Sequence, residues 1–95
     1  MTNNKFFDMY CTFQKDHYSF KTAYARTNML KNHFLPFYGD VPLERVTRAD
    51  IHHIYDDMER RGLADNTIFG AYAALLSYFK LAITMGLLEN NPAAK

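Results

Sequence analysis

The sequence predicts an all-α fold, a small bundle of four to five helices, and three observations point there. Apolar residues recur at spacings of three and four in four separate segments. No stretch makes a convincing strand. Pro36, Gly39, Gly62 and Gly86 fall at the ends of those segments, where chain direction can change. With 95 residues, 48% of them hydrophobic and 16% aromatic, the chain is one globular domain's worth of sequence. A domain of that size buries roughly two-thirds of its unfolded surface, enough for one core.

The first predicted helix runs from about Asn4 to Lys15, with Phe6, Tyr10 and Phe13 as its apolar stripe. Phe7 and Met9 lie off that stripe. The second begins at Ser19, a plausible N-cap, and runs to about Leu35. Its core face is expected at Phe20, Ala23, Thr27, Leu30 and Phe34, leaving Lys21, Thr22, Ala25, Arg26, Asn28, Met29 and Asn32 on the other side. Pro36 ends it, and Gly39–Pro42 makes a turn. Thr47 and Asp50 open the third helix as a capping box, Ile51, Ile54, Tyr55 and Met58 line it, and Gly62 closes it. The fourth runs from near Asp65 to Gly86, with a main stripe of Ile68, Tyr72, Leu75, Phe79, Ala82 and Ile83. A second apolar line, Ala71, Ala74, Tyr78, Leu81 and Met85, lies beside it, so this helix is either central or covered by a partner. Phe7, Met9 and part of the line through Tyr78, Leu81 and Met85 are expected to stay exposed, because a four-helix core cannot absorb them all.

Charge is segregated along the chain although the formal net charge is only +1. Between His17 and Gly39 there is no acidic residue, and Lys21, Arg26 and Lys31 give +3. From Asp40 to Glu59 six acidic residues face Arg45 and Arg48, giving −4. One face offered to a polyanion would produce this pattern, and so would an ordinary solvated helix face. The second helix combines phosphate-grade cations with polar groups able to read base edges: Lys21, Thr22, Arg26, Asn28 and Lys31. The fourth opens with Asp65-Asn66-Thr67 and carries Asn66, Gly70, Ala73 and Ser77 along one face. Such small residues let a helix approach DNA closely, or equally let it pack against another helix.

Enzymatic readings find no support. His52 and His53 are adjacent and diverge by about 100° on a helix, which rules out a shared metal. Asp56-Asp57 reads as a solvated face and Cys11 as packing. No glycine-rich loop cradles phosphate. No cofactor is expected. One cysteine, no secretory start in MTNNKFFD and no apolar run near the roughly 18 residues of a membrane span suggest a soluble, cytoplasmic protein.

The order of residues carries a resemblance. Lys21-Thr22, then Asn32-His33-Phe34-Leu35-Pro36-Phe37-Tyr38-Gly39-Asp40, then Pro42-Leu43-Glu44-Arg45-Val46-Thr47 is similar to the corresponding run of phage integrases. Asp50-Ile51, Gly62-Leu63, Thr67-Ile68, the series Leu75, Phe79, Ala82, and the closing Gly86 to Pro92 continue it, so the likeness spans Phe6 to Pro92. The chain resembles the SAM-like, core-binding domain of tyrosine recombinases, with Ala64 where the family often has Ser. The resemblance implies a bundle whose second and fourth helices face double-stranded DNA at core-type attachment sites. It further implies a separate C-terminal catalytic domain, for which Pro92 marks the linker, and neighbouring subunits in a tetramer. The Arg, His and nucleophilic Tyr of the reaction belong to that other domain, so residues 1–95 would be a non-catalytic fragment. A helical module that docks a partner helix is the alternative reading.

Overall fold

A computed structural model describes residues 1–94, which form five α-helices and one 3₁₀ turn. These are α1 (Asn3–His17), α2 (Phe20–His33), α3 (Leu35–Tyr38), a 3₁₀ turn at Leu43–Arg45, α4 (Arg48–Arg60) and α5 (Asp65–Thr84). The expected bundle is present, and no strand occurs among the described residues; Thr2 and Pro42 make one isolated bridge.

Local chemistry explains the boundaries. The Thr2 and Ser19 hydroxyls cap α1 and α2 by accepting from the backbone N–H of Lys5 and Thr22. Thr47 and Asp50 form the reciprocal capping box of α4. Gly62 and Gly86 take the left-handed conformation, at φ 74° and 77°. In each case the glycine amide and the one after it reach back over the helix end: Gly62 to Glu59 and Leu63 to Met58, Gly86 to Ile83 and Leu87 to Ala82. Pro36 does not simply stop the chain. It occupies the first turn of α3, where its missing N–H costs nothing.

α5 runs through the middle of the bundle, with α2 as its most extensive neighbour. Its core face is Ala71, Ala74, Leu75, Tyr78, Phe79, Leu81 and Ala82, all buried. The Tyr78 ring meets Phe6, Tyr10, Phe34 and Phe79 edge-on, with centroids 5.0–5.5 Å apart. Of the line expected to stay exposed in part, Tyr78 and Leu81 are buried, because α1 and α2 close over them, and only Met85 remains outside. Phe7 is half-buried, while Met9 and Met85 are exposed as expected. By length and composition α5 also reaches what a bilayer crossing needs, contrary to the sequence expectation. Here its apolar face forms the core of the bundle.

On α2 and its C-cap, Leu30 and Phe34 are buried and Ala23 and Thr27 half-buried, as expected. Phe20 is not: it stands 83% exposed. At 100° per residue it lies about 80° round the helix from Leu30, on the first turn. On α1, Gln14 takes the buried place expected of Phe13, which is half-buried and stacks on His17. Leu87, Leu88 and Ala93 pack back against the core, and the Asn91 amide donates to the Leu76 carbonyl, 3.1 Å.

Candidate nucleic-acid interface

The outer face of α2 follows from how α1 and α5 grip its inner face. Lys21, Tyr24, Ala25, Asn28, Lys31 and Asn32 are exposed. The acid-free stretch noted in the sequence therefore becomes a surface carrying two lysines and two amides, with no carboxylate of its own. At 1.5 Å per residue, Lys21 and Lys31 lie about 15 Å apart along the axis.

Three residues assigned to that face point elsewhere. Arg26 is half-buried, donates from Nη1 to Oε1 of the buried Gln14 at 3.0 Å, and covers the Tyr18 ring at 4.6 Å. Its face is not the solvent face expected of it, because Gln14 needs a partner once α1 and α2 pack. Thr22 is half-buried beside the Ser19 hydroxyl, 3.2 Å away. Met29 lies against α5: a Cβ added to Gly70 would stand 3.3 Å from its Cε.

The small-residue line of α5 accordingly divides. Gly70 is where α2 approaches, and the Ser77 hydroxyl accepts from the Tyr10 hydroxyl at 3.0 Å. Both serve packing between helices. Asn66 and Ala73 are exposed and Thr67 is half-buried. Ala64 stands at the N-cap of α5 and no side chain caps the helix, so Asp65 does not replace the lost hydroxyl.

Sequence reasoning missed Tyr24 and misplaced Phe20. Their rings stack at 5.9 Å with 21° between planes, on the same outer face as Asn28 and Lys31. The signal was present: 20, 24, 28 and 31 is itself a helical stripe, running beside the core stripe. A groove of about 250 Å³ between α1 and α2 adjoins it, lined by Phe7, Cys11, Tyr24, Thr27, Asn28 and Lys31. Burial first, and Asp8 second, push the Cys11 thiol up, which keeps it protonated and suits packing better than nucleophilic work.

The exposed face of α4 is different in kind. On α4, His52, His53, Asp56 and Glu59 are exposed, and Asp57 holds Arg61 at 3.0 Å. No group of three or more His, Cys, Asp or Glu able to hold a metal occurs among the described residues.

Comparison with known proteins agrees with this architecture. No curated protein matches the chain. The solution NMR structure of an integrase-like domain from Bacillus cereus superposes with a TM-score of 0.89 at 19% identity, over 99% of this chain and 80% of that one. That likeness establishes the shared fold. The family described as phage integrase, N-terminal SAM-like domain, matches residues 2–58, from the cap of α1 to the last turn of α4. With more than half of its length matched, the chain belongs to the N-terminal SAM-like domains of phage integrases.

Proposed function

We propose that this domain binds double-stranded DNA through the outer face of α2, as the non-catalytic half of a site-specific tyrosine recombinase. The observation that carries the reading is the exposed, acid-free face of Lys21, Asn28 and Lys31 in a chain of this family. The lysines anchor phosphates and Asn28 reads a base edge. Asn66 and Thr67, at the uncapped start of α5, supply further polar contacts. Arg26 is held by Gln14 and Tyr18, Thr22 by the Ser19 cap, Gly70 by the approach of Met29 and Ser77 by Tyr10, so none of the four belongs to the contact set. The sites bound are the core-type attachment sequences of a mobile element, and a C-terminal catalytic domain closes on the other side of the duplex. Sequence preference comes partly from DNA shape.

The acidic side has another role. Phe37, 61% exposed, borders a groove of about 170 Å³ shared with Tyr38, His53, Ile54, Asp57 and Arg60. Acid-rich α4 repels a polyanion, so this face suits protein: the catalytic domain or a neighbouring subunit of the tetramer.

A salt titration with random duplex tests the DNA reading. Two lysines and at most one contact at the start of α5 release two to three counterions, a slope of log K on log salt of about −2 to −3. Lys21→Ala and Lys31→Ala should each flatten the slope by about one unit. Asp56→Ala, on α4, should leave it unchanged. Equal weakening by the lysine and aspartate variants would refute this orientation.

A further inference from the structure

Phe20 and Tyr24 form the most exposed aromatic pair adjoining the basic face, and the proposed phosphate contacts leave them without a role. Phe20 is 83% and Tyr24 59% exposed, a large apolar area to leave in water. They stack on each other, so each covers one face of its neighbour and offers edge and side outward. That geometry does not suit a flat platform for an unstacked base, which needs a vacant ring face. It suits contact with small apolar projections. Phe20, Tyr24, Asn28 and Lys31 fall within about 80° of one another around α2. A helix presented to DNA along this line carries its rings toward the base edges, with Lys21 and Lys31 placed for the phosphates. The major groove is about 12 Å wide and admits one helix, and its one apolar projection is the thymine methyl group. Charge complementarity selects the occupant, since a polyanion is favoured where two lysines stand on the helix that carries the rings and no acid stands on it.

We infer, on the basis of the DNA-binding reading above, that Phe20 and Tyr24 recognise thymine methyl groups in the major groove. On this basis α2 selects sequence by apolar contact beside its two lysine anchors.

Replacing thymine by uracil removes the methyl and leaves the hydrogen-bonding edge intact, which gives a direct test. Duplexes that the chain enriches from a random pool are remade with deoxyuridine in place of thymidine, and both forms are titrated. The chain should lose about fourfold in affinity for each methyl contacted. The double variant Phe20→Ala, Tyr24→Ala should bind both forms equally, keeping the salt slope and the helical circular dichroism of the parent. Lys21→Ala should keep the thymidine preference while flattening the slope. Equal binding of both forms by the unaltered chain, with its salt slope present, would overturn the inference and leave the DNA reading standing. Absence of salt-dependent binding would overturn both. A dimer that the double variant converts to monomer, with thymidine preference retained, would assign the rings to a second copy of the chain.

Discussion

His33 accepts a hydrogen bond from Arg61 Nη2 on its Nδ1 at 3.0 Å, which requires that nitrogen to be unprotonated. Burial, and then the Arg61 cation, hold its pKa below the ordinary 6.5, with Asp57 pulling weakly the other way. The unfolded chain therefore takes up this proton more readily than the folded one. The resulting stabilisation is complete above pH 6.5 and is lost as pH falls through the lowered folded value. We expect the melting temperature to drop on acidification below that pH, and to drop less in His33→Gln. An NMR titration placing the His33 midpoint at or above 6.5 would contradict this. Single residues were also where the sequence was hardest to read. Arg26 looked like a surface cation, yet the carbonyl oxygen of a buried Gln14 draws it inward. Phe20 looked like core and stands in water. Neither could be placed by type or spacing, because each depends on how far α2 is rotated between α1 and α5.

Element ends were legible because capping is local chemistry. Ser19, the Thr47–Asp50 box and Gly62 all perform the roles their positions suggest. α3 was not foreseen as a separate helix, since proline is equally at home after one helix and in the first turn of the next. The buried face of α5 takes Leu75, Phe79 and Ala82 from the expected main stripe and Ala71, Ala74, Tyr78 and Leu81 from the line beside it: with two apolar lines side by side, only the packing partners decide where the centre falls. The strongest prediction at this scale concerns Gly62. At φ 74° an added Cβ meets no neighbouring atom within 4 Å, so Gly62→Ala isolates backbone strain from crowding. It should cost about 1–2 kcal/mol, read as a shift of the urea midpoint at unchanged slope. No shift would show that the turn between α4 and α5 relaxes at no cost.

Across the whole molecule, the segregation of charge seen along the sequence carries into the exposed residues of two helices, lysines and amides on α2 and mainly acids and histidines on α4. The fold class was legible from periodicity and the family from residue order. The pin at the N-terminus was not. Asn3 is fully buried, its amide donates to the Tyr38 and Val41 carbonyls at 3.1 and 3.0 Å, and its Oδ1 accepts from the Tyr78 hydroxyl at 2.9 Å. One side chain thus joins α1, the loop after α3, and α5. An asparagine near the start of a chain carries no sign of this, because its partners are 35 to 75 residues away. Asn3→Ala should destabilise by about 1–3 kcal/mol, the cost of stranding buried polar groups. An unchanged denaturation midpoint would mean that the network is dispensable.

That same closure sets an order of events during synthesis. The aromatic face of α1 is seated by Tyr78 and Ser77, the latter through Tyr10. Translation at about 5–20 residues per second makes α1 wait several seconds for its seat. Over that interval Phe6 and Tyr10 are uncovered on the nascent chain, and α1 to α4 cannot complete the native core without α5. A fragment cut at residue 58, the end of the family match, should behave as this waiting intermediate does: partly helical, adhesive and without a cooperative melt.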